Sequence, residues 1–134
     1  MIEYDVNVKP EVAELGPFFK GWKSPPSAGT RARLLAGSDL VVTARDEGRL
    51  IGFVTAITDG AMHALVSLVE VLEEYRGGGV GSRMMELVVL HFHGLYDIIL
   101  ITDPDKEAFY RKSGFSPIYG MHVRDFTYGG EIEE

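Results

Sequence analysis

The run Leu72-Glu73-Glu74-Tyr75-Arg76-Gly77-Gly78-Gly79-Val80-Gly81-Ser82 constrains this chain more than any other stretch. The apolar segment leading into it, His63 to Leu72, reads as a buried strand. The periodic segment after it, Ser82 to Phe92, reads as a helix with Met84, Met85, Val88 and Phe92 on one face. A strand, a glycine-rich turn and a helix start build an anion site. The first helical N–H groups have no intrahelical partner, and the dipole at that end favours negative charge. Glycine allows positive φ and lets a phosphate approach the backbone closely. A phosphate-bearing ligand is therefore expected at this turn.

The turn is neither of the two commonest phosphate motifs. No Gly-Lys pair stands where a Gly-x-x-x-x-Gly-Lys-Ser/Thr loop needs it, and Ser82 and Met84 break a Gly-x-Gly-x-x-Gly pattern. What remains is Arg-x-x-Gly-x-Gly: Arg76, Gly79 and Gly81. The rest of the chain narrows the class of protein. At 134 residues it suits one compact domain. No apolar run reaches the ~18 residues of a membrane span, and the acidic N-terminus does not read as a signal peptide. The chain has no cysteine, which removes disulfides, thiolate metal sites and a thiol nucleophile, and points to the cytoplasm. A net charge of −7 argues against nucleic acid and suits a cationic substrate, though solubility alone would also explain it.

The expected elements are a short strand over Val6–Pro10, an interrupted helix over Pro10–Lys20 and a second helix over Thr30–Ala36. A hairpin of Leu40–Arg45 and Arg49–Thr58 turns at Asp46-Glu47-Gly48. After the strand–turn–helix unit come a buried strand over Asp97–Thr102 and a helix over Asp105–Ser113. Two closing strands are expected at Ser116–Tyr119 and Met121–Phe126. One domain spans residues 1–128, followed by an acidic tail, 129–134.

A second motif lies downstream, Glu107-Ala108-Phe109-Tyr110-Arg111-Lys112-Ser113-Gly114-Phe115, and Leu50-Ile51-Gly52-Phe53-Val54 lies upstream. With the Arg76–Gly81 turn between them, these segments resemble the GCN5-related N-acetyltransferases, the GNAT family, over residues 40 to 122. The stretch Gly52 to Gly60 is most similar to small bacterial and plant-type amine acetyltransferases. The resemblance implies an α/β fold, a twisted mixed central sheet with helices on both faces. It implies an acyl-CoA N-acyltransferase that moves acetyl from acetyl-CoA to an amine by direct attack, with no covalent enzyme intermediate and no metal. Acetylation of a small-molecule primary amine is the leading expectation. Acetylation of a protein N-terminus or lysine, or CoA binding by a non-catalytic regulatory module, are the alternatives. No membrane or nucleic-acid partner is expected; family members often dimerise, so a homodimer is among the expected assemblies.

The resemblance also implies roles. Arg76, Gly77, Gly78, Gly79, Val80, Gly81 and Ser82 would hold the pyrophosphate, mainly through backbone N–H groups. The backbone of Val69 and Val71 would pair with the pantetheine arm, one amide polarising the thioester carbonyl. Tyr110 would protonate the departing thiolate. The general base stays open. A lysine-like amine costs about 4 kcal/mol to deprotonate at roughly pH 7.5, and Leu65, Ser67 and Leu68 stand where the family often has a carboxylate. Glu70, in an apolar strand, is one candidate; Asp59 with a water chain, also a substrate-binding candidate, is another, and His63 a third. Trp22 is a candidate for the acceptor pocket, whereas Phe18 and Phe19 fit a core helix better. His91 and His93 are two apart and cannot form a helical metal pair.

Overall fold

The computed structural model describes residues 1–125, so the acidic tail expected at 129–134 lies outside the described residues. Strands β1 (Ile2–Val6), β2 (Leu40–Asp46), β3 (Arg49–Thr58), β4 (His63–Val71) and β5 (Asp97–Leu100) form a sheet in the order β1-β2-β3-β4-β5. β1 to β4 pair antiparallel, and β5 lies parallel to β4. A parallel neighbour needs a crossover; here it is helix α2, Val80–His91. Helices α1 (Ala28–Gly37) and α3 (Glu107–Arg111) complete the described elements, with single 3-10 turns at Val12–Leu15, Glu73–Tyr75 and Pro104–Lys106. No helix among the described residues is long and apolar enough to cross a membrane.

Local chemistry explains the boundaries. The first strand forms over Ile2–Val6 and not over Val6–Pro10, because Asn7 turns the chain at φ 61°. Its side-chain oxygen accepts the Val41 N–H at 2.9 Å. The interrupted helix reduces to Val12–Leu15, cut off by Gly16 and Pro17. Ser27 caps α1 by accepting the Thr30 N–H at 3.2 Å. The hairpin turns on Glu47 and Gly48, at φ 48° and 84°, the pair of left-handed residues that a type I′ turn needs. α2 starts at Val80, earlier than the expected Ser82, because Gly79 at φ 88° ends the turn there. The helix expected over Asp105–Ser113 divides into Pro104–Lys106 and α3. The closing strands expected from Ser116 onward do not form over residues 116–125.

The sheet carries one layer on each face. Gly52 faces α2, where an added Cβ would sit 3.0 Å from Met84 Cε. Met84, Met85 and Val88 are fully buried and Phe92 is nearly so, which makes the methionine stripe a core stripe. On the other face Phe53 meets Phe18 edge-on at 5.0 Å, with Phe19 beside it at 6.2 Å. That packing brings the segment between the first 3-10 turn and α1 over β3 and β4, next to the site.

Candidate active site

The site begins with an irregularity in β4. Val66 lies opposite Ala56 and Leu68 opposite Thr55, so Ser67 has no opposite residue. Its hydroxyl lies 2.8 Å from that of Thr55 and donates to the Thr55 carbonyl at 3.1 Å. Such a bulge reverses the alternation of side chains beyond it. Ala64 and Val66 share the α2 face with Thr58 and Ala56; after the bulge that face passes to Val69 and Val71, opposite Val54 and Gly52. Glu70 is thereby moved out of the α2 core and onto the face carrying Phe53.

There the carboxylate of Glu70 accepts the backbone N–H of Phe19 at 3.3 Å. Phe19 holds φ 67°, a conformation that bulky residues rarely adopt. Burial pushes the Glu70 carboxyl above its ordinary value, against the opposing pull of the Phe19 N–H, Arg76 and Lys106. Tyr110 shares this environment. Its phenol is raised first by burial and then by the negative charge of Glu70. Its ring stands edge-on to Phe109 at 4.9 Å and to Phe115 at 6.1 Å. A carboxylate inclined to take a proton and a phenol that keeps its own thus lie in one electrostatic neighbourhood.

Further along β4 the sheet splits. β5 pairs with β4 only as far as Leu100 opposite Val66. The Leu72 N–H points to Ile51 of β3 at 2.9 Å, so the alternate backbone groups of Val69 and Val71 face the opened side. The Val71 carbonyl accepts Arg76 Nε at 3.1 Å, leaving its N–H for a ligand. Arg76 thereby ties the glycine turn to the end of β4. Gly77 and Gly79 are both left-handed, at φ 82° and 88°, and no atom lies within 4 Å of where their Cβ atoms would be. Gly79 has no side chain with which to cap α2, so the first N–H groups, Val80 to Ser82, are free for an anion. Gly81 is needed for another reason: a Cβ there would lie 2.9 Å from the Phe109 ring of α3.

Residues 37–117 match the model of the acetyltransferase (GNAT) domain, most of the chain. The chain belongs to the GNAT acetyltransferase family. A Deinococcus radiodurans R1 protein, described only as a candidate acetyltransferase, is 33% identical and superposes with a TM-score of 0.89, over 99% of this chain and 94% of that one. A GNAT-family acetyltransferase of Streptococcus pneumoniae TIGR4 is 22% identical with a TM-score of 0.80, over 94% of this chain and 99% of that one, and shows the same fold. An uncharacterised N-acetyltransferase of Porphyra purpurea, ycf52, is 29% identical over 100 residues. That match takes in 71% of this chain, which spans only 58% of the length of that curated relative.

In this GNAT chain the other residues singled out in the sequence fall in different places. Trp22 is half exposed and edge-on to Phe19 at 5.2 Å, the residue whose N–H Glu70 accepts. Asp59 closes the β3–β4 loop: one carboxylate oxygen accepts the N–H groups of Ala61, Met62 and His63 at 2.8, 2.8 and 3.1 Å. These bonds hold its carboxyl down to about 2, too acidic for a base near neutral pH. His63 is exposed, its ring edge-on to Tyr96 at 6.0 Å. The backbone strain at Phe19, the bulge at Ser67 and the charge of Lys106 near Glu70 had no signal in the sequence, since each depends on segments far apart in the chain.

The Asp59 loop carries a pH prediction. A depressed carboxyl contributes stability that is present above its unfolded pKa of about 3.9 and is lost as pH falls through the folded value. Asp59→Asn should therefore lower the melting temperature at neutral pH and flatten the acid limb between roughly pH 4 and pH 2. Thermal melts of both proteins across that range check it; parallel limbs would refute the loop-closing role.

Proposed function

We propose that this chain transfers an acetyl group from acetyl-CoA to a primary amine on a small molecule, by direct attack of the amine. The observation that carries the reading is the split between β4 and β5, which opens the Val69 and Val71 backbone beside the glycine turn that starts α2. The residues present fit acetyl-CoA. The free N–H groups of Val80 to Ser82, with Gly77 and Gly79 open to approach, suit its pyrophosphate, and the outward amides of Val69 and Val71 suit its pantetheine arm. Bound there, acetyl-CoA would supply an activated thioester.

The chain's own residues do the rest. Glu70 attracts the ammonium form of the acceptor and takes its proton, directly or through water. Tyr110 delivers a proton to the departing sulfur. The Phe18–Trp22 segment packs over the face that carries Glu70, with Phe18 and Phe19 against Phe53, which supports a small amine over an exposed protein terminus. The net charge of −7 adds a weak field that favours cations and disfavours nucleic acid. With no cysteine in the chain, the cytoplasm is the natural compartment.

The test is turnover of acetyl-CoA against a panel of amines, read as free thiol, for which a cysteine-free enzyme gives no background. Absence of thiol release with every amine, while calorimetry shows that acetyl-CoA binds, would favour a regulatory CoA-binding module. Glu70→Gln refines the test. It keeps an acceptor for the Phe19 N–H but removes the charge. We expect kcat/KM for amines to fall by about tenfold or more near neutral pH, the gap closing as the free amine becomes abundant. Stability should move the other way. A carboxyl raised by burial favours the fold when protonated, and that contribution is lost as pH rises through the folded pKa. At neutral pH the glutamine variant should melt at the same temperature or higher. A lower melting temperature with unchanged kcat/KM would assign Glu70 to structure alone.

A further inference from the structure

Three consecutive glycines, Gly77 to Gly79, carry no side chains with which to hold their turn in place. Two of them are left-handed, and glycine loses more backbone freedom on ordering than any other residue. A ligand that had to order this turn would bind more weakly by the free energy of doing so. The shape of the turn therefore depends on its two ends. At the far end Val80 is buried and α2 begins, the Gly79 carbonyl accepting the Arg83 N–H at 3.0 Å. At the near end Arg76 ties the turn to β4.

The residue before Arg76 reaches further. Tyr75, in the 3-10 turn Glu73–Tyr75, donates its phenol to the Asp46 carboxylate at 2.6 Å, 29 residues away in the chain. Asp46 closes β2, opposite Ile2 of β1 and Arg49 of β3, so strands on both sides fix it. The Tyr75 ring packs against the core. The bond holds the Asp46 carboxyl below its ordinary value and the Tyr75 phenol above its own. The donor therefore stays protonated and the acceptor charged through neutral pH. A second link between the same segments, Arg49 to Glu74 at 3.5 Å, is exposed on both sides and adds little. Resting on the acetyl-CoA assignment above, we propose that Tyr75 and Asp46 are positioning residues for the acyl donor. Through them the sheet holds the glycine turn in its phosphate-binding shape before acetyl-CoA arrives. Neither side chain needs to touch the ligand. The gain falls on binding of the pyrophosphate end and not on acetyl transfer.

Calorimetry and steady-state kinetics with two acyl donors test this. Tyr75→Phe removes the hydroxyl and keeps the ring. Its Kd for acetyl-CoA should rise by about three- to tenfold, the span of one hydrogen bond. Its kcat at saturating donor and its KM for the amine should not change. S-acetylpantetheine carries the thioester without the pyrophosphate, so kcat/KM with it should be the same in variant and wild type. Asp46→Ala should match Tyr75→Phe, and the double variant should bind no more weakly than either. Asp46→Asn keeps an acceptor oxygen and should recover part of the affinity. A Kd for Tyr75→Phe within about twofold of wild type overturns the proposal. So does an equal loss with both donors, the mark of a loosened subunit. Wild-type protein that binds no acetyl-CoA would remove the acetyl-CoA assignment itself, and this proposal with it.

Discussion

Gly79→Asp is expected to weaken acetyl-CoA binding by about 100-fold or more, close to 2.7 kcal/mol, while leaving a folded protein. The fold should survive because the position is exposed, no atom lies within 4 Å of the new Cβ, and aspartate tolerates the left-handed φ of 88° better than most residues. Binding should not survive. The carboxylate would stand at the N-terminus of α2, where it competes with the phosphates for the N–H groups of Val80 to Ser82 and repels them. Gly79→Asn separates these effects. It has almost the same shape without the charge, so it should retain much more of the affinity, and the difference between the two variants should shrink at high salt. Calorimetry showing Gly79→Asp within threefold of wild type would mean that the pyrophosphate lies elsewhere.

Tyr110→Phe should lower kcat by about 10- to 10³-fold with the affinity for acetyl-CoA little changed. Only the hydroxyl is lost. The edge-on contacts to Phe109 and Phe115 involve the ring, which phenylalanine keeps, so the melting temperature should hold. Because burial and Glu70 both push the phenol up, it holds its proton throughout the neutral range and is available as a donor. The role is specific to the leaving sulfur. An acetyl thioester of a more acidic thiol needs less protonation and should narrow the gap between variant and wild type. An unchanged kcat, with acetyl transfer shown by rapid mixing to be the slow step, would remove Tyr110 from the reaction.

How much of the fold is legible in the sequence depends on the range of the interactions involved. The unit from β4 through the glycine turn to α2 was legible because each part is local. The hydrophobic run, the positive-φ glycines and the helix period are properties of consecutive residues; the helix starts at Val80 and not at Ser82, and the far ends of β4 and α2 differ by one residue each. The same holds for the β2–β3 hairpin, whose turn needs only Glu47-Gly48. The methionine stripe of α2 is legible as one face from spacing alone, and that face is buried.

What the tertiary structure decided is long-range. Glu70 looked anomalous in an apolar strand, but simple alternation would have put it in the α2 core with Ala64 and Val66. The bulge at Ser67, held by Thr55 from the neighbouring strand, turns it to the other face. Phe19, far away in the chain, then supplies the N–H that holds it. Asp59 looked equally available to a substrate until the loop closed and claimed its carboxylate with three N–H groups. The strands expected at the C-terminus have the right period, yet no strand forms over residues 116–125. A strand is stabilised by a neighbour, and period fixes which face is apolar without supplying the partner edge. Residue order therefore determined the glycine turn and the helix that follows it. The sheet register determined which face carries Glu70, because register is set by pairing between strands and not within any one of them.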